Sequence, residues 1–165
     1  MSDAVLFEAR ADGIAVITLN RPDTRNALSA EVRDGLRAAW ARFEREADLR
    51  VAILTGAGDK AFCAGGDLKA MVADGMQVPP RDFFPLPYDS IELSKPTIAA
   101  VNGVAFAGGW MIAQACDLCV ASTTARFAIT EVKVGRSSPW AAPLIHMIPQ
   151  RIMMEIILTG KSITA

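Results

Sequence analysis

The hydrophobic positions along the chain follow two rhythms, one of short strand-like runs and one of a helical stripe. Residues 5–9 and 14–19 (IAVITL) are strand formers on either side of Ala11-Asp12-Gly13, and they predict a hairpin. A turn-rich stretch, NRPDTRN, follows at 20–26. From Ser29, an N-cap residue with Glu31 in the first turn, apolar side chains recur at Val32, Leu36, Trp40, Phe43 and Ala47. Charge occupies the opposite side, so this segment predicts a surface helix. VAILT at 51–55, closed by Gly56-Ala57-Gly58-Asp59, reads as a buried strand, and in AFCAGGDLKAM after it a glycine pair leads into a further helix. TIAAV at 97–101, DLCVAS at 117–122 and ARFAI are predicted strands, with helices around 109–115 and, as PQRIMMEIILTG with its glycine stop, at 149–160. Residues 74–88 gather four prolines and three aromatic residues, which reads as a lid rather than a linker. The recurring order of strand, turn and helix predicts an α/β class.

Length and charge narrow this picture. At 165 residues the chain fits one domain, and a net charge of −1 supplies no field for collecting nucleic acid or a membrane surface. Apolar residues make up 52% of the sequence, and only 8 of the 35 charged side chains fall in residues 96–165, so that half is built to be covered. The uncharged run Pro96 to Cys116 is interrupted by Asn102, Gln114 and three glycines, and Asp117 follows at once, which argues against a membrane span. An acidic start with no apolar stretch and an odd set of three cysteines predict a cytoplasmic, reducing location.

Candidate chemistry is reached partly by elimination. His146 is the single histidine and sits between apolar neighbours, so it reads as structural; a serine hydrolase would need it beside Ser137 or Ser138. Cys116 and Cys119 form an isolated CxxC, with no second pair to complete a zinc site, and read as buried thiols; no metal is expected. Neither GxxxxGK[ST] nor GxGxxG occurs. What remains is two turns rich in small residues, Cys63-Ala64-Gly65-Gly66-Asp67 and Ala105-Phe106-Ala107-Gly108-Gly109, whose backbone amides at helix starts suit an anion or a developing oxyanion. Packing alone is the other reading of either turn. Glu131, in a largely apolar setting, suits a general acid or base; pairing with Lys133 or Arg136 at the surface is the alternative.

In this order, the segments ITLNRPDTRNALS, VAILTGAGDKAFCAGGDLKAM, KPTIAAVNGVAFAGGWMIAQACDLCVAS, ARFAITEVKVG and IPQRIMMEIILTGKSITA resemble the enoyl-CoA hydratase/isomerase (crotonase) family. The resemblance implies a crotonase-like superhelix of ββα turns and an acyl-CoA thioester substrate, with coenzyme A part of the substrate and no separate cofactor. Carried over by position, the family's oxyanion-hole amides fall on Ala64 and Gly108, and its acid/base glutamate on Glu131. Substrate contacts fall on Arg25, Ala27, Leu28, Ala64, Gly65, Gly66, Asp67, Leu68, Gly108 and Met111, and the lid at 74–88 would shape the acyl pocket.

Met111 departs from the pattern. Hydratases of the family carry a second glutamate there, and a thioether cannot carry a proton. The resemblance therefore implies enoyl-CoA hydration or double-bond isomerisation, with the single carboxylate favouring isomerisation; a catalytically silent acyl-CoA-binding homologue or inactive fragment is the alternative. Gln114, one helical turn on from Met111, is a candidate to position a water. Family members continue past SITA at 162–165 into a C-terminal helical region, so residues 1–165 are expected to be the core domain of a longer subunit, a homotrimer or hexamer when full length. An exposed apolar face is then expected on the Pro139 to Leu158 side.

Overall fold

The structure, a computed structural model, describes residues 3–73, 75, 80 and 82–165. Strands β1 (Val5–Ala9) and β2 (Ile14–Leu19) form the expected antiparallel hairpin, and helix α1 (Ala30–Arg45) follows. Strands β3 (Val51–Gly56) and β4 (Ala61–Cys63) lead into helix α2 (Leu68–Ala73). Strands β5 (Thr97–Val101) and β6 (Val104–Phe106) then lead into helix α3 (Gly108–Gln114). After these come β7 (Leu118–Ala121), β8 (Arg126–Ala128), 3₁₀ segments at Glu131–Val134 and Pro139–His146, helix α4 (Gln150–Thr159) and β9 (Ile163–Thr164).

The strands sort into two sheets, ordered β1-β2-β3-β5-β7 and β4-β6-β8-β9. Each successive strand pair, β3/β4, β5/β6 and β7/β8, puts one strand into each sheet, parallel to its predecessor. That is the ββα superhelix the resemblance implied. The strands of the second sheet are three residues or fewer, and of these the sequence predicted only β8, within ARFAI.

Helix α1 begins where Ser29 accepts from the Val32 amide, and its stripe of Val32, Leu36, Trp40 and Phe43 is fully buried against β1 and β2. Ala47 is a correction: it is exposed beyond the helix end, because Glu46 turns extended. The Lys95 ammonium donates to the Phe43, Glu44 and Glu46 carbonyls there, closing the C-terminal turn.

The turn-rich stretch at 20–26 is held by Asn26, which is fully buried at a left-handed φ of 55°. Its Oδ1 accepts from the Arg21 amide (2.9 Å), and its Nδ2 donates to the Ala57 and Ala61 carbonyls (3.0 and 2.8 Å). Replacing Asn26 by Ala strands one donor and two acceptors in the interior. We expect about 3 kcal/mol of lost stability in urea unfolding, at roughly 1 kcal/mol per bond; a loss under 1 kcal/mol would mean that Asn26 does not hold this loop.

The cysteines are partly as expected. Cys63 and Cys116 are buried, and desolvation pushes each thiol up to about 12. Cys119 is a correction: it lies exposed on β7, the edge strand of the larger sheet, beside exposed Leu118 and Val120. A chromogenic disulfide reagent at neutral pH should titrate one thiol, Cys119, in the native protein and three after denaturation; two or more fast native thiols contradict this burial.

Apolar side chains also stand exposed from Ile145 through Met147, Ile152 and Met154 to Leu158, on the side where an apolar face was expected. Among the described residues, no helix is long and apolar enough to cross a membrane.

Candidate active site

Two strand-to-helix turns and one 3₁₀ turn converge on a cavity of about 730 Å³. The first turn leaves β4. Ala64 donates its amide to the Arg25 carbonyl (3.0 Å), and Gly65 accepts from the Leu28 amide (2.8 Å), so the loop at 20–28 runs beside the turn as a short parallel bridge. Gly65 takes a φ of 101°, and a Cβ there would stand 2.9 Å from the Phe106 carbonyl oxygen. No hydrogen bond among the described residues engages the Gly66 amide, which belongs to the cavity wall. The expectation that Ala64 supplies an oxyanion donor is therefore corrected. Its N–H is already committed to Arg25, and the unengaged amide of this turn lies two residues on, at Gly66.

The second turn leaves β6 through Ala107, an alanine at φ 50° and ψ −123°, a conformation that costs a residue with a Cβ about 1–3 kcal/mol. Its amide donates to the Ala128 carbonyl (2.9 Å), which holds the turn in place. The strained residue redirects the chain so that α3 starts at Gly108, whose amide lies in the first helical turn and has no intrahelical acceptor. The two turns abut: a Cβ on Gly65 would lie 3.4 Å from the Gly108 nitrogen. A Cβ on Gly108 would stand 3.3 Å from Leu28 and from the Phe84 ring, so only glycine leaves this wall open.

Glu131 begins the 3₁₀ turn after β8. The Trp140 indole donates to its Oε1 (2.7 Å), while Oε2 is buried with no hydrogen-bond partner among the described residues. Glu131 is the only acid among the described residues that line the cavity. Among the described residues, no ion pair joins Lys133 or Arg136 to Glu131, the pairing weighed for it. Met111, from α3, is buried in the same wall, with Phe84 and Pro80 contributed by the segment read as a lid. The Phe83 ring beside Phe84 is held by the Arg33 guanidinium 3.7 Å above it. Residues 74, 76–79 and 81 of that lid lie outside the described residues.

Of the sequence-derived set, the structure brings Ala64, Gly66, Leu68, Gly108, Met111 and Glu131 to the cavity. Arg25, Ala27, Leu28, Gly65 and Asp67 are not in its lining. Leu28 is fully buried in the core and acts as packing behind Gly108. Asp67 accepts from the Ala70 amide at the start of α2 (3.2 Å) and faces Arg21 at 3.6 Å, so its carboxylate serves the turn itself. Arg25 is exposed, and its backbone carbonyl, rather than its side chain, meets the turn.

Sequence reading missed Trp140. Its signal was present only as an aromatic residue in the apolar stretch SSPWAAPL, nine positions from the acid it contacts. Gln114 donates to the Trp140 carbonyl (3.2 Å) and does not line the cavity, so it is no water-positioning group. His146 is exposed and shares no hydrogen bond with Ser137 or Ser138 among the described residues, which ends the serine-hydrolase reading. No cluster of three or more His, Cys, Asp or Glu side chains among the described residues is placed to hold a metal. A second, more open concavity of about 830 Å³, between the β1–β2 turn and residues 46–50, contains none of these groups.

Comparison with known proteins bears on the same residues. A family model described as enoyl-CoA hydratase/isomerase matches residues 9–165. The chain is 42% identical to (E)-benzylidenesuccinyl-CoA hydratase of Thauera aromatica over 92% of its own length and 61% of that protein. It is likewise 42% identical to enoyl-CoA hydratase EchA19 of Mycobacterium tuberculosis, over 91% of the chain and 59% of the relative. A crystal structure of a probable enoyl-CoA hydratase/isomerase from Mycobacterium abscessus superposes with a TM-score of 0.83 at 45% identity, covering 100% of this chain and 64% of the other. The chain thus spans about three fifths of the length of the curated relatives it matches.

Proposed function

The chain belongs to the enoyl-CoA hydratase/isomerase family, and from that premise we propose that it acts on an acyl-CoA thioester by forming the thioester enolate. The Gly66 and Gly108 amides receive the developing oxyanion, and Glu131 is the single acid/base. The observation that carries this reading is the convergence on one cavity of two glycine turns and one carboxylate with an unengaged oxygen.

In the proposed cycle the thioester oxygen sits between the two amides. Glu131 removes a proton from Cα of a 3-enoyl thioester, the electron pair moves onto the oxygen as a dienolate, and the same carboxyl returns the proton at Cγ to give the 2-enoyl product. No water enters and no redox change occurs. Backbone donors suit the task because they are fixed before charge develops, and losing one such donor costs about 2.7–4 kcal/mol of barrier.

The relatives' names point to water addition and elimination. Met111 favours isomerisation instead, because hydration needs a second group to activate water and a thioether has no proton to exchange. The test is a panel of 2-enoyl- and 3-enoyl-CoA thioesters with products identified by mass. Conversion of 3-enoyl to 2-enoyl thioesters, with hydration at least ~100-fold slower, supports this reading. Hydration as the faster reaction overturns the isomerase assignment. Tight thioester binding without any turnover supports the silent binding homologue, for which Met111 is the supporting observation.

A further inference from the structure

We infer that Trp140 is the positioning residue for Glu131: its indole N–H fixes which carboxylate oxygen is engaged by the protein and which is left to carry the proton. The inference rests on the acid/base reading of Glu131 and adds a residue to it.

The geometry is asymmetric. Glu131 Oε1 accepts from Trp140 Nε1 at 2.7 Å, a short charge-assisted bond, while Oε2 is buried with no hydrogen-bond partner among the described residues. A carboxylate with both oxygens free rotates between equivalent poses. Here rotation would break the one bond the group makes.

Trp140 is itself held on two sides. Its carbonyl accepts from Gln114 Nε2 (3.2 Å), and its ring packs edge-on to Trp110, centroids 6.4 Å apart. Trp110 in turn stacks at 5.3 Å on Phe127 of β8, the strand that leads to Glu131. An indole anchored in this way loses little conformational freedom when it binds the carboxylate, so its bond orients rather than follows Glu131. Trp40, whose indole N–H is also buried but has no partner, is a built-in reference.

The first test needs no turnover. With the indole nitrogens labelled with ¹⁵N, the Trp140 Nε1–H resonance of the full chain should lie downfield of that of Trp40. It should shift in Glu131→Gln, while Trp40 stays still. A Trp140 resonance indifferent to Glu131→Gln overturns the inference whatever the activity.

The second test is kinetic. Trp140→Phe, and the benzothienyl analogue of Trp140 that keeps the ring shape without the N–H, should lower kcat by about 10- to 100-fold at near-constant KM. A purely structural indole predicts that the analogue behaves as wild type, which also overturns the inference while leaving the role of Glu131 standing if Glu131→Gln is inactive. Full activity of Glu131→Gln overturns both.

Discussion

Glu131→Gln should abolish turnover while leaving thioester binding in place. A general acid/base contributes roughly 10²–10⁴-fold, and the cavity holds no second acid to take over the proton among its described lining residues. We therefore expect kcat to fall by at least about 10³-fold. The substitution is nearly isosteric, and a glutamine Oε1 accepts the Trp140 N–H as the carboxylate does, so the 3₁₀ turn keeps its support. The Kd for a saturated acyl-CoA, measured by calorimetry, should stay within about threefold, because the Gly66 and Gly108 amides and the apolar wall are unchanged. Parallel loss of binding and rate would instead assign Glu131 to holding the cavity open.

The second large effect is on the fold. A methyl group on Gly109 would collide with the Cys63 carbonyl oxygen, with the Cys63 carbonyl carbon and Cβ at 2.8 and 2.9 Å. All three atoms are backbone or Cβ, and Cys63 is fully buried, so no side-chain rotation relieves the contact. Gly109→Ala must push α3 away from β4, which is where the two turns meet. We expect at least about 3 kcal/mol of destabilisation, at the upper end for an overpacked core. Because Gly108 is the adjacent residue, any folded fraction should also lose the geometry between its amide and that of Gly66. Gly135→Ala is the control: no atom of the described residues lies within 4 Å of its Cβ, so only the left-handed φ of 68° is penalised, at about 1 kcal/mol. Equal destabilisation by the two substitutions would show that the α3–β4 contact is not close-packed.

The elements with long regular patterns were legible in the sequence, and those made by contact between distant segments were not. The stripe from Val32 to Phe43 placed α1, and short runs of strand formers bounded by turns placed β1, β2, β3, β5 and β7. β4 and β6 are three residues long and were not predicted, because pairing across the second sheet, not their own pattern, makes them strands; β8, equally short, was read within ARFAI. Helix α1 stops at Arg45 although the apolar spacing runs to Ala47, since Lys95, 50 residues away in sequence, binds the carbonyls at its end.

The site divides in the same way. The glycine-rich turns and Glu131 in a largely apolar setting suggested an oxyanion and acid/base site, and the resemblance to the family singled out Gly108 and Glu131. Which amide of the first turn is unengaged depends on Arg25, whose carbonyl takes the Ala64 N–H from another part of the chain. Sequence position alone selected Ala64, whereas the hydrogen-bond pattern selects Gly66. Trp140 was invisible for a related reason, since its part depends on one 2.7 Å contact between two loops.

The most direct measurement is deuterium incorporation at Cα of a saturated acyl-CoA incubated with the protein in D₂O, followed by mass spectrometry. A saturated chain can neither isomerise nor take up water across a double bond, so exchange reports enolate formation by the two amides and Glu131 alone. The account predicts Cα exchange well above the uncatalysed rate, lost in Glu131→Gln at unchanged thioester affinity. Bound thioester with no exchange above background, or equal exchange in the variant, would contradict it.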